Sequence, residues 1–368
     1  LRIPAALELA VGLLLIWQCT PVGAKHQRGQ AWEAPIFAGF TALVFLLAWQ
    51  LFLTVQPLES SALPLAADRI LISLVIWTFG FPVVLGYSVK FFPGLIGASP
   101  AHRTGLRFAL ALLVPAAAGF LVESTALAAA ATSCAVALAC WSLRVFHAKA
   151  GNPKIAGVDG HYPQFARLAY LWLTLSAALG FGVPRPGLLG ASRHAFTVGF
   201  LATLIFSIGP RILPSFLSSR ELWSARVMRW SLMLITVGCT LRVVSEPLAY
   251  GGIVELAWKV LPISAFAELA AILLFGLNVA LSLATPIPSW FGRKQVNDRM
   301  SIYWLISSYP ATRRLLVESG LASLAMAEEV PKSLSLREAA QADGVQTEIL
   351  VEKLGTFFES RLARSLRK

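Results

Sequence analysis

The chain has 368 residues, 57% of them hydrophobic and only 14% charged, where a soluble domain carries about a quarter charged residues. That balance argues against a soluble enzyme and for a membrane protein. The net charge of +12 lies in short interruptions between apolar runs and not on one basic face, which argues against a nucleic-acid partner.

A bilayer core takes about 20 mostly apolar residues per helix. Read from the start, nine runs meet this need, near 4–20, 34–56, 69–89, 105–122, 125–146, 163–182, 194–213, 227–245 and 256–282. Leu1 opens the chain with no charged segment before the first run, so no signal peptide is read and further residues upstream are expected. Beyond Pro288 charges become dense and short amphipathic patterns replace the long apolar ones. The expected fold is all-α: a polytopic transmembrane helix bundle over 1–288, then a small helical domain over 299–368.

The connections set the orientation. The first, third, fifth and seventh hold thirteen Lys and Arg, the alternate ones five: Arg69, Arg185, Arg193, Arg242 and Lys259. The positive-inside rule then predicts a cytoplasmic carboxyl terminus. Lys90 and Arg211, 121 residues apart, each precede a proline by three positions, at Pro93 and Pro214. PIFAGFTALVFLLA from Pro35 and PQFARLAYLWLTLS from Pro163 share five positions at an offset of 128. Two parallel four-helix repeats, about 32–150 and 160–283, account for both offsets. Lys90 and Arg211 then read as helix-end anchors, each cation meeting the negative end of a helix and the headgroup phosphates, with the prolines stopping the helix.

Charged residues inside apolar runs are functional candidates because hydrocarbon penalises them. Arg242 and Glu246, four apart, share a helix face. Glu268 stands near the middle of the ninth run, ten residues before Asn278, and reads either as part of a proton or cation path or as a carboxyl tied to a facing helix through Arg242. Of five histidines, His26, His102, His147 and His161 lie in connections or at helix ends, whereas His194 opens the seventh run, either as a metal ligand or as a capping group. Cys19, Cys134, Cys140 and Cys239 show no CxxC spacing and read as small buried hydrophobes. No nucleotide-binding loop, catalytic triad or HExxH motif is present, and enzyme status is left open.

The string HAFTVGFLATLIFSIGPRILPSFL from His194, together with LRVVSEPLAY and FARLAYLWL, resembles the NnrS family of polytopic bacterial membrane proteins. WTFGFPVVLGYSVKFFPGLIG, Trp77 to Gly97, is similar to the family as well, and the likeness covers most of residues 30 to 283. The resemblance implies haem and copper as cofactors, a place in the bacterial inner membrane, and an association with nitric oxide stress and denitrification. Of the histidines, only His194 matches a family motif position, which makes it the expected cofactor and metal ligand. Here the chain departs from the family, whose members have about twelve helices and a His-rich segment near the start. The tail resembles a small helical domain found beside redox proteins, without the cysteines usual there, and implies an interaction module of three or four short helices that recruits a redox or regulatory protein. In it SLREAAQADGV reads as a capped helix, with Ser335 as N-cap and Gly344 ending it. Apart from the resemblance, the intramembrane Arg242, Glu246 and Glu268 fit a cofactor-free transporter or channel. A haem-copper oxidase needs about six histidines inside its bundle, more than this chain holds.

Overall fold

The computed structural model describes residues 2–25, 30–55, 64–147, 151, 153, 158–183, 185–216, 222–284, 296–298, 300–326, 330–331 and 334–365. Among them the secondary structure is helical, and the one β-bridge joins Ser301 to Ser335. The helices are α1 Arg2–Lys25, α2 Glu33–Val55, α3 Leu65–Leu74, α4 Phe81–Leu95, α5 Arg103–Ala111, α6 Leu113–Leu121, α7 Thr125–Leu143, α8 Tyr162–Leu179, α9 Leu188–His194, α10 Thr203–Phe216, α11 Ala225–Tyr250 and α12 Ala257–Ala284. Five more follow: α13 Ile302–Ser308, α14 Ala311–Glu318, α15 Ser323–Met326, α16 Leu336–Ala342 and α17 Thr347–Ser365.

Several of these join end to end, so that the described residues form eight spans long and apolar enough to cross a bilayer, from Glu33–Val55 to Ala257–Ser282. The run expected near 4–20 is helical as well, within α1, where Ile3–Leu15 is a shorter apolar segment. The protein is a polytopic, all-α helix bundle. Phe45, Val114 and Phe266 are each 72% exposed, a belt of large apolar side chains that water would not tolerate and lipid would.

The chain divides into two compact units, Leu1–Ile208 with Arg229–Ile272, and Gly209–Met228 with Leu273–Lys368. In the first, helices approach closely where side chains are small. A Cβ on Gly39 would stand 2.6 Å from Val83 Cγ2, and one on Gly86 2.8 Å from the Trp32 carbonyl oxygen, so α2 and α4 meet backbone to backbone. Half of the buried residues of α7 are alanines for the same reason. Between the helices runs a ladder of aromatic rings, Trp77 to Phe196 at 5.3 Å, Phe196 to Phe200 at 5.4 Å, Phe200 to Tyr170 at 5.2 Å and Tyr170 to Phe92 at 5.4 Å, all edge to face.

Two of the long spans contain a π-helical segment, Val75–Gly80 between α3 and α4 and Ala195–Ala202 between α9 and α10. Their first residues are 120 positions apart, close to the 121 that separates Lys90 from Arg211. Such widened turns turn up disproportionately at functional sites.

Proline acts differently along the chain. Pro115 has no amide to bond the carbonyl of Ala111, and the helix breaks there, α5 ending at Ala111 and α6 starting at Leu113. Pro93 and Pro214 do not stop their helices where the sequence suggested. α4 runs two residues past Pro93 to Leu95, and α10 two past Pro214 to Phe216. Each sits in the final turn, so the one bond it forfeits to the carbonyl four residues back lies at the helix end and leaves little helix beyond it to disrupt.

In the second unit the residues of the tail pack around Ile302, Leu305, Leu316, Leu336, Leu354 and Phe358, all at most 2% exposed. Among the described residues the tail holds four short helices, in line with the three or four expected, and in addition the 19-residue α17. Ser335 caps α16 through a capping box with Glu338, and Gly344, with φ of +68°, follows its end. Also in this unit, Asn278 of α12 clamps the entry to α11, accepting from Ser224 N at 3.0 Å and donating to Ser224 O at 2.9 Å.

Candidate functional site

The residues singled out by sequence gather on α9, α11 and α12. Helical spacing alone puts Arg242 and Glu246 on one face of α11, and Arg242 Nε lies 3.4 Å from Glu246 Oε2. From the end of α9, His194 brings its Nδ1 to 3.5 Å from the same oxygen. Glu268 of α12 stands within the electrostatic reach of both His194 and Arg242. The Glu246 side chain is 10% exposed, against 27% for Arg242 and 30% for His194, so the carboxylate is the buried centre of the group.

Missing side chains make room for it. A Cβ on Gly190 would sit 1.8 Å from Glu246 Oε1, and one on Gly187, where φ is +77°, 2.7 Å from the Glu246 carbonyl oxygen. Gly238 does the same between α11 and α12, its Cβ position lying 2.7 Å from Glu268 Cγ. Glycine at these three places lets the charged groups lie against neighbouring backbone.

The hydrogen bonding is incomplete. Glu246 Oε2, Arg242 Nε and Glu268 Oε1 are buried without a hydrogen bond, although the first two are in ion-pair range. Buried polar atoms left in this way mark a site that can take a proton or a polar ligand. The imidazole is better defined. Its Nδ1 is 3.3 Å from the Gly190 carbonyl oxygen, which can only accept, so Nδ1 is the donor in that contact and Nε2 is the nitrogen left outside it. Cys239, fully buried on α11, directs its Sγ to the His194 carbonyl oxygen at 3.8 Å and so has no part in the charged group.

This donor set bears on the two cofactors. An imidazole with Nδ1 at a carbonyl oxygen and beside a carboxylate is a donor that haem iron accepts, so this one side chain is compatible with haem. The residues do not fit copper, which takes several nitrogen or sulfur donors, whereas this group offers one imidazole beside a guanidinium. Among the described residues no three His, Cys, Asp or Glu side chains are grouped so as to hold a metal ion.

The remaining sequence candidates lie elsewhere. Lys90, five residues before the end of α4, places Nζ 4.1 Å from the centre of the Trp32 ring, a cation–π contact at a helix end. Arg211 holds the matching place in α10, five residues before Phe216. His102 caps α5 by accepting from Gly105 N at 3.3 Å, His147 is exposed, and His26 lies outside the described residues. Cys140 is buried as expected, but Cys134 is exposed on the outer face of α7, and the Cys19 side chain is not described.

Asp159 escaped the sequence reading. It is 2% exposed in the segment before α8, accepts from Arg229 Nε at 2.6 Å and His161 N at 2.9 Å, and lies 3.3 Å from His161 Nδ1. The only signal was an Asp-Gly turn ahead of a helix start, in GVDGHYP, and its partner is 70 residues away.

Compared with known protein families, curated proteins and solved structures, the chain matches none. The fold and the span lengths define it as a multi-pass helical membrane protein with a buried cluster of ionisable side chains.

Proposed function

We propose that the protein is an NnrS-like, haem-associated protein of the bacterial inner membrane, serving the response to nitric oxide or denitrification, with its carboxyl terminus in the cytoplasm. One observation carries the haem assignment: Nδ1 of His194 is engaged by the Gly190 carbonyl oxygen at 3.3 Å, so Nε2 is the nitrogen that would face a ligand. Haem held there would supply an iron able to bind a small diatomic molecule or pass an electron. Gly190 holds the ring, the Glu246 carboxylate lies beside the imidazole, and Arg242 balances that carboxylate. The tail, with a core of its own, recruits a redox or regulatory protein partner, and deletion of the residues after Met300 should abolish co-purification of that partner.

Absorption spectra of the purified full chain test the assignment. A Soret band in the wild-type protein that is lost or displaced in His194→Ala supports it. A band that His194→Ala leaves unchanged, or no band after haem is supplied, overturns it.

A second reading rests on a separate observation, the three buried polar atoms of Glu246, Arg242 and Glu268 that lack hydrogen bonds. In that reading the protein is a cofactor-free transporter or channel, and Glu268 takes up and releases the proton or cation that moves. Proton flux into proteoliposomes, abolished by Glu268→Gln, separates it from the first; equal flux in the variant counts against Glu268.

A further inference from the structure

Within the first unit a cavity of about 560 Å³ opens between α3, α6, α7, α8 and α9. Three guanidinium groups line it: Arg69 of α3, Arg185 in the turn before α9, and Arg193 on α9. The concentration is unusual for its place in the chain. Of the five basic residues that the sequence assigns to the outer side, where the positive-inside rule makes them scarce, three come together here from separate helices and loops.

Local needs do not account for them. Among the described residues none of the three makes an ion pair within 4 Å, and the charge of Asp68, beside Arg69 in the chain, is felt by Arg193 without pairing with it. Arg193 donates from one terminal nitrogen to the Arg69 carbonyl oxygen at 3.1 Å, while its Nε is buried without a hydrogen bond. Glu123 is the one carboxylate on the wall, so the lining carries two net positive charges. Thr125, the first residue of α7, also borders the cavity and turns the positive end of that helix toward it. The rest of the wall mixes hydroxyl groups, Ser73, Thr132 and Ser176 among them, with apolar side chains such as Ile70, Ile76 and Trp77, and the volume is many times that of an inorganic ion.

We propose that this cavity binds a phosphate- or carboxylate-type oxyanion carried on an apolar body, with Arg69, Arg185 and Arg193 grasping the anionic head and the Trp77 side receiving the apolar part. Planar guanidinium groups suit such a head because each can donate two parallel hydrogen bonds to it. The same chemistry is offered by a soluble organic anion and by the headgroup of an anionic lipid. The site is separate from the His194 ring and does not depend on haem.

The test uses the purified full chain in a non-ionic detergent and titrates n-hexyl phosphate, inorganic phosphate and hexanol by calorimetry, while mass spectrometry counts retained phosphatidylglycerol. Hexyl phosphate should bind saturably and hexanol should not. Arg193→Gln and Arg69→Gln should each raise its Kd about tenfold. Arg185→Gln, at an exposed loop position that leaves folding intact, should act in the same direction, and Arg107→Gln, exposed on α5, should change nothing. Retention of phosphatidylglycerol that is lost in Arg185→Gln, without binding of hexyl phosphate, supports the proposal with a lipid headgroup as the source. Hexanol binding as tightly as hexyl phosphate overturns it, as does binding of both phosphate probes that is indifferent to Arg185→Gln and Arg193→Gln.

Discussion

The same local motif, an arginine followed four residues later by a glutamate, occurs in both units in opposite settings. In the tail Arg314 and Glu318 pair at 2.7 Å with side chains 86% and 58% exposed. In the bundle Arg242 and Glu246 stand at 3.4 Å with 27% and 10% exposed, and His194 joins them. Water solvates the first pair whether or not it forms, so the helix owes it little. The second has given up its water, and each charge depends on the others for compensation. Identical spacing thus marks a solvated surface pair in one place and a largely enclosed charged group in the other.

The largest expected effect follows from removing the shared carboxylate. Glu246→Ala should cost about 3 to 5 kcal/mol, because it leaves Arg242 facing the bundle interior without its counter-charge. The unfolding midpoint of the full chain in mixed detergent measures this, and the double variant with Arg242→Met should recover much of the loss. A smaller penalty, about 1 to 3 kcal/mol, is expected for Gly190→Ala, whose new methyl would push into the Glu246 carboxylate. The same variant should disturb the His194 ring, a change that histidine resonances in NMR spectra would register.

In the tail, Ser335→Ala should cost about 1 kcal/mol by removing the cap of α16, read as faster amide exchange in that helix of the full chain. The capping box also predicts a pH dependence. The backbone amide of Ser335, then its hydroxyl, hold the Glu338 carboxyl below the usual carboxylate range. Because the folded value is the depressed one, its stabilisation is present above the ordinary Glu range and disappears as pH falls through the folded value. Exchange in α16 should accelerate in acid, and Glu338→Gln should remove that acceleration. At the small end, Arg314→Ala should leave the unfolding midpoint of the full chain unchanged, because both partners of that pair are open to solvent.

How much of this was legible in advance depended on the range of each interaction. Long apolar runs announce spans because the bilayer imposes a length, and Ser335 announces a cap because its partner Glu338 is three residues away. The face shared by Arg242 and Glu246 is likewise a local property of a helix. The approach of His194 to Glu246 is not. It joins residues 52 apart, and what enables it is the absence of side chains at Gly187 and Gly190, which in the sequence look like ordinary glycines of a connection. The pairing of buried Asp159 with half-exposed Arg229 and the meeting of Arg69, Arg185 and Arg193 around one cavity were hidden in the same way. Proline misled for a different reason: its missing amide matters in mid-helix, as at Pro115, and hardly at all in a last turn, as at Pro93.

The most direct measurement is a reduced-minus-oxidised difference spectrum of the haem-supplied full chain, recorded for the wild type, Glu246→Gln and His194→Ala. The account predicts a haem signal in the wild type, a shifted midpoint potential in Glu246→Gln where the carboxylate no longer acts on the ring, and loss of the signal in His194→Ala. Identical spectra and potentials in all three proteins would contradict it.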